Sequence, residues 1–439
     1  MKYPDFSDFA LLQLNLSEYA RMKCEQGSES ESNRIIEEVR EYIKNAMVRI
    51  QEIPDDAELA ANEPDDLDSI LKLREHGPRR LWKSLPDDQT LADKIEGALT
   101  GRMIGCMLGV PVEGHTVENM EAWCQYTGKQ FPPVDYWENV MFPHAKNFYG
   151  AYGYQYMKSN MRSVPIDDDV IYTQVSLLLM EEYGCDFTTQ DVGEIWKKYL
   201  PLACTAEEIA IDNLKKGVPV DQVGITDNPY RQWIGAAIRS DGFAYAAAGM
   251  PEKAARMAYY DAFLSHRRNG IYGEMFLAAA QSAAFAVDSP IEAIKIALTE
   301  IPENCNLHKD IEWALKVGEN VKDHKDARKL VDERFGGMHI VHTNNNLCLI
   351  VFGLIIGEKD IVKGLSETVA MGLDSDCTSA SAGSIFGAII GKRNIPEYLY
   401  KRFNNTIDTY LIGKNSFHFD DMTQRFIKLA KNIYNNSNK

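Results

Sequence analysis

Six carboxylates in three short stretches carry the chemistry this sequence offers. Glu113 closes the run "LGVPVEG", Asp167, Asp168 and Asp169 stand together in "VPIDDDVIYTQ", and Asp374 and Asp376 sit one residue apart in "MGLDSDCTSASAG". A carboxylate at a helix start is favoured by the macrodipole by about 0.3–1 kcal/mol, and one aspartate makes a good cap. Three in a row exceed what a cap requires. Like charges about 4 Å apart repel by roughly 4 kcal/mol at an intermediate dielectric. A D-x-D pair at the head of a small, apolar run is expected to be at least half-buried, where an uncompensated pair is costlier still. A hard divalent cation is the simplest compensation, since Mg²⁺ and Ca²⁺ take oxygen ligands from carboxylates, hydroxyls and water. Five aspartates, one glutamate and the hydroxyls of Ser375 and Thr378 could hold two such ions, which would orient a substrate's oxygens or activate a water.

Helices must position these groups. Gly97, Gly101, Gly105 and Gly109 recur every four residues just before Glu113, and Gly383, Gly387 and Gly391 do so just after Asp376. Glycine inside a helix costs roughly 0.5–1 kcal/mol against alanine. A ridge of glycines at i, i+4 recovers that by letting another helix backbone approach, so both segments read as central, tightly packed helices. Core packing alone accounts for the glycines. Further helical patterns follow with short breaks: "TQDVGEIWKKYL" from Thr189, "MPEKAARMAYYDAFLSH" with proline in the first turn, "SPIEAIKIALTEI", "DARKLVDERF", "GLSETVAMG" and "MTQRFIKLAKNIY". Convincing alternating strands are absent. The main body is therefore expected to be one all-α, compact multi-helix domain over residues 91–439. Residues 1–90 read as a helical N-terminal extension packed on it. There Ile35, Ile36, Val39, Tyr42, Ile43, Ala46, Met47 and Ile50 share one helix face, with Ser32 as a possible cap.

At 439 residues the chain can bury a large core, and its formal net charge of −17 repels nucleic acid and anionic membrane while attracting divalent cations. No nucleic-acid partner is expected, and no membrane one, because no apolar run reaches 18 residues. Eight scattered cysteines without a C-x-x-C pair, and an N-terminal stretch without signal-peptide character, point to reduced thiols in the cytoplasm.

In its ordered motifs the chain resembles the ADP-ribosylglycohydrolase family over most of residues 93–395. The family's G-x-x-x-G-D-x-L-G-x-P-x-E pattern appears as Gly101 to Glu113, its T-D-D-T motif as "IDDD", and its G-G-D-T-D-T motif as "GLDSDC". "IGAAIRSDG" is similar to the family's G-x-x-M-R segment, "YYDAFLSHRRNGIYGEMFLAAA" to its S/T-H-x-x-x-G helix, and "HTNNN" to a stretch of one subgroup. The resemblance implies a compact all-α fold with a binuclear Mg²⁺ centre. It also implies hydrolysis of a glycosidic bond at the anomeric carbon of ADP-ribose, often one attached to protein, or of a smaller riboside. By position, Asp167, Asp168, Asp169, Asp374 and Asp376 become metal ligands, and Glu113, Asp168 and Asp376 the catalytic carboxylates. Arg239, His266 and His342 become candidate substrate-binding residues. Ile166 stands in the slot of the family's first threonine ligand, so either Asp167 and Asp168 ligate or the register slides by one and Asp169 joins them. Cys377 replaces the last threonine, with Thr378 beside it as a substitute, and Cys106 replaces the aspartate of G-D-x-L-G. These replacements support an alternative, a non-catalytic ADP-ribose or nucleotide binder on the same fold.

Other readings are weaker on chemistry. "DSDCT" matches the D-x-D-x-T nucleophile motif of haloacid-dehalogenase-type phosphatases, but that motif follows a buried strand, and a helix-like segment precedes it here. Arg267 and Arg268 could bind a diphosphate, though basics exposed in a helix's last turn are the commoner case. The aromatic insert at 133–157 could stack a base or simply pack in the core.

Overall fold

The computed structural model describes residues 3–140 and 153–437. The chain separates into two compact units, residues 1–61 and 62–439. Residues 62–90, grouped by the sequence with the extension, belong to the larger unit. Ile70 is fully buried, and Arg74 reaches Glu252 at 2.6 Å and Glu300 at 2.5 Å, with Arg79 on the same Glu300 at 2.8 Å. A buried glutamate shared by two arginines fixes this segment to its unit.

The first unit is a helical hairpin of Phe9–Glu25 and Glu29–Gln51. Gly27, at φ +88°, makes the turn, and Ser28 N donates to Lys23 O at 2.9 Å, a left-handed cap that glycine supplies without strain. Ser28, not Ser32, holds the N-cap position, and Ser32 lies within the helix. Several side chains of the predicted apolar face remain open to solvent, among them Tyr42 (70 % exposed) and Ile50 (67 %).

The larger unit is helical as the patterns predict. Thr188 caps Thr189–Tyr199 in a reciprocal capping box with Asp191, and proline opens both Pro251–Ala262 and Pro290–Leu298. Strand structure is confined, among the described residues, to Thr406–Asp408 paired antiparallel with Ser416–His418. These strands are too short to give a sequence alternation. No helix among the described residues is long and apolar enough to cross a membrane.

At the centre the two glycine helices, Asp88–Gly109 and Ser375–Ile390, run antiparallel with backbones in contact. A Cβ added at Gly97 would lie 2.4 Å from Gly387 O, at Gly101 2.0 Å from Gly383 O, at Gly105 2.0 Å from Ser379 O, and at Gly109 2.3 Å from Asp376 N. The reverse holds too: at Gly383 it would lie 2.1 Å from Gly101 O. Hence the two ridges are each other's partners. Helices Asn269–Ala284 and Thr343–Gly357, almost wholly buried, complete the core around them.

Candidate functional site

The glycine contact also assembles the site. Because Gly109 abuts the backbone of Asp376, the chain leaving the first glycine helix must pass the start of the second. Gly114 N donates to Leu373 O at 2.9 Å and Ser375 Oγ to Gly109 O at 3.1 Å. Gly372 and Leu373, at φ +71° and +62°, form the sharp turn before Asp374. Asn346 of the "HTNNN" stretch accepts from Asp374 N at 3.3 Å. Glu113 thereby meets Asp374 and Asp376, and ligand atoms of all three lie within 4.8 Å of one another.

The third stretch is held from behind. Asp167 caps Asp168–Tyr183, accepting from Asp169 N at 3.0 Å, so one aspartate of the triplet does the capping. Arg102, fully buried on the first glycine helix, donates through Nε to Asp169 O at 2.9 Å, through Nη2 to Ile238 O at 2.7 Å, and through Nη1 to Asp241 at 2.6 Å. The result is a second group, Asp169, Asp376 and Cys377, again within 4.8 Å, beside a third formed by Asp167, Asp168 and Asp169.

A cavity of about 190 Å³ is lined by Glu113, Asp168, Asp169, Asp374, Asp376 and Cys377. Cys204, Thr205, Glu207, Trp233, Ile234, Gly235, Ile238 and Val341 complete its lining. Larger hollows of about 800 and 620 Å³ elsewhere contain none of these clustered carboxylates. Asp376 is 5 % exposed and its Oδ1 has no hydrogen-bond partner. Asp374 occupies an N-cap position without capping. Repulsion follows: Asp376, then burial and Asp168, pushes Glu113 up to about 8. Burial, with Asp376 close by, raises Asp168 and holds Asp169 and Asp374 well above the usual carboxylate range. Burial followed by Asp168 does the same to Asp167, and burial raises Asp376. Arg102 Nη2, 3.3 Å from Asp169 Oδ1, is one cation against six clustered carboxylates. An acidic centre with that excess and an orphaned buried oxygen fits divalent cations, for which hard carboxylate donors are suited.

Asp168 and Asp169 line the cavity, whereas Asp167 faces Cys106, whose Sγ lies 3.4 Å from its Oδ1. The three proposed substrate-binding residues are not on the cavity wall. Arg239, 1 % exposed, is committed to Glu207 (2.5 Å), Asp261 and Glu274 (3.4 Å). Its matched position is a buttress, because three buried carboxylates already claim its charge. His266 is fully buried with Nδ1 2.7 Å from Ser265 Oγ, and burial with Arg239 and Arg267 holds it well below the usual histidine range. His342 caps Thr343–Gly357 through Nδ1, and burial lowers it to about 4. Its neighbour Val341 lines the cavity instead.

Arg267 and Arg268 are not exposed basics either. Arg267 bonds the carbonyls of His266 (2.6 Å) and Asp221 (2.7 Å), and Arg268 pairs with Glu63 at 3.0 Å. Thr378 Oγ1 donates to Asp374 O at 2.9 Å, back along its own helix. Of the aromatic insert, residues 141–152 lie outside the described residues. Tyr136 and Trp137 are buried core, with Trp137 Nε1 on Leu108 O at 2.8 Å.

Sequence reasoning missed Arg102, Glu207 and Trp233. Trp233 stacks on His339 at 4.1 Å and 13°, lies 4.5 Å from the Tyr230 ring, and lines the cavity. Glu207 reads as a routine first-turn acid in "TAEEIA", yet burial pushes it up to about 7 against the pull of Arg239.

Residues 87–437 match the family model described as ADP-ribosylglycohydrolase, and the chain belongs to that family. Comparison with curated proteins finds no match. Among solved structures, the chain is similar to an "ADP-ribosylglycohydrolase-related protein complex" at 17% identity and a TM-score of 0.49, over 78% of this chain and 99% of that one.

Proposed function

For this member of the ADP-ribosylglycohydrolase family, we propose a divalent-cation-dependent hydrolase that cleaves a glycosidic bond at the anomeric carbon of ADP-ribose or a related riboside. The observation that carries this reading is the convergence of Glu113, Asp168, Asp169, Asp374 and Asp376, from three distant stretches, on one cavity. When bound, two divalent cations would supply fixed positive charge to grip ribose hydroxyls and polarise a water. Mg²⁺ suits Glu113, Asp374 and Asp376, whose donors are all oxygen. Glu113, the exposed member of its group, would take a proton from the attacking water or give one to the leaving atom. Asp168 and Asp376 fix that water and the sugar between the two acidic groups. Trp233 adds apolar contact for the sugar on the cavity wall.

The cavity is small beside the roughly 300–1,000 Å³ of a drug-sized ligand's pocket. It therefore suits the ribose, with the rest of an ADP-ribosylated protein or small riboside outside. Eight free cysteines support a cytoplasmic setting. Cys377 within the acidic wall favours one second reading, ADP-ribose binding without turnover.

The test is isothermal titration of metal-free protein with Mg²⁺, with and without ADP-ribose, followed by release assays on ADP-ribosylated protein and small ribosides. Metal binding tightened by ADP-ribose, with chelation-sensitive release, is the expected result. Tight binding without release would favour the second reading, and no divalent-cation binding would refute the cation-dependent mechanism.

A further inference from the structure

We infer that one of the two cation positions is built around a sulfur ligand, Cys377, and takes a borderline transition ion such as Zn²⁺ rather than Mg²⁺. The inference rests on the two-cation reading above. The two acidic groups share Asp376 but differ in donor chemistry: Glu113, Asp374 and Asp376 offer only oxygen, while Asp169, Asp376 and Cys377 include a thiol. In the second group all three residues are buried, and Cys377 Sγ lies 3.2 Å from Asp169 Oδ2. An independent observation points to a ligand at the residue the two groups share: Asp376 Oδ1 is buried without a partner. Such an atom is costly unless something binds it.

Thiolate is a soft donor that selects Zn²⁺ and its neighbours, whereas Mg²⁺ and Ca²⁺ keep to oxygen. At 3.2 Å, Sγ and Oδ2 are close enough for one ion to take both donors. Cys377 Sγ, which donates to Asp169 Oδ2 in the metal-free protein, would give up that proton to solvent and hold the ion as a thiolate. Arg102 holds Asp169 O through Nε and stands 3.3 Å from Asp169 Oδ1 through Nη2, which leaves Oδ2 to face Cys377. The centre is thus asymmetric, with a hard position on the Glu113 side and a softer one on the Asp169 side.

Cobalt makes this testable without turnover. Metal-stripped, fully reduced protein is titrated with Co²⁺, and binding is read by calorimetry while absorption is read in the near-ultraviolet. The expected result is a sulfur-to-cobalt charge-transfer band that saturates with binding, survives in C106S and disappears in C377S while Co²⁺ still binds. Competition should show Zn²⁺ preferred to Mg²⁺ at this position, with the preference falling in C377S. C377T, which returns an oxygen donor, serves if C377S folds poorly. Co²⁺ binding without the band, or a band that persists in C377S, overturns the sulfur ligand and leaves the two-cation reading standing. Failure of the wild type to bind any divalent cation overturns both.

Discussion

Replacing Gly105 by alanine tests whether backbone contact between the glycine helices builds the site. The new Cβ would stand 2.0 Å from Ser379 O, 2.3 Å from Ser379 C and 2.7 Å from Ala380 N. All three are backbone atoms that no rotamer change can move aside. Ordinary carbon–oxygen contact needs roughly 3.5 Å, so the helices must part by about 1.5 Å near the end that carries Asp374 and Asp376. Overpacking costs typically about 1–3 kcal/mol and occasionally more, and three rigid overlaps place this case at the upper end. Alanine's better helix propensity returns about 0.8–1 kcal/mol, leaving a net loss of about 2 kcal/mol or more. The control is G193A in Thr189–Tyr199, where the nearest atom is the flexible Leu214 Cδ2 at 3.2 Å. There the propensity gain roughly balances a small adjustment. Urea denaturation of both variants gives the stability difference, and Mg²⁺ titration gives the consequence at the site, where G105A should bind more weakly. A G105A protein as stable as G193A, with wild-type cation affinity, would refute the argument.

Three further outcomes follow from the buried charges. Changing Asp374 and Asp376 together to Asn should abolish cation binding while far-UV circular dichroism stays helical, and should raise the stability of the metal-free protein by removing mutually repelling buried charges. Unchanged Mg²⁺ affinity would count against the assignment. R239M leaves Glu207, Asp261 and Glu274 without their cation and should lose about 3–5 kcal/mol of stability, whereas a substrate-binding arginine would lose affinity at wild-type stability. Glu207 rises from 4.5 to about 7 on folding. The folded state therefore binds more protons than the unfolded between those values, and stability falls as pH rises through that window. In chelator, E207Q should show a shallower loss than wild type from pH 5 to pH 8 in urea denaturation. An identical slope would remove Glu207 as a source of that pH dependence.

Glycine spacing made the central helices legible because a four-residue recurrence is a geometric statement about one helix face. It could not say that the two ridges face each other, which depends on a packing between segments some 270 residues apart. The acidic stretches were legible as excess charge. Their register was not, since Asp167 and Asp168 differ only in which one the helix start turns toward Asp169 N. Arg102 carries no local signal: it is one arginine in a glycine-rich helix, and its partners Asp169, Ile238 and Asp241 are contributed by other elements. Arg267 was misread because composition suggests a solvated helix end. Helix Pro251–Ala262 stops earlier, and the guanidinium turns inward onto carbonyls.

These failures share a cause that bears on the cysteines. The scaffold is fixed by backbone approach at Gly97, Gly101, Gly105 and Gly109, and by Arg102 and Asn346 gripping main-chain atoms of Asp169 and Asp374. None of those contacts uses the side chain of Cys106 or Cys377. A ligand position framed by main chain can exchange a hydroxyl for a thiol without dismantling the site, so the fold leaves the choice of cation to a few side chains. On the two-cation reading proposed above, the altered residues would change metal preference before they change architecture. For that reason the spectrum of the bound ion is more informative about this chain than its helicity.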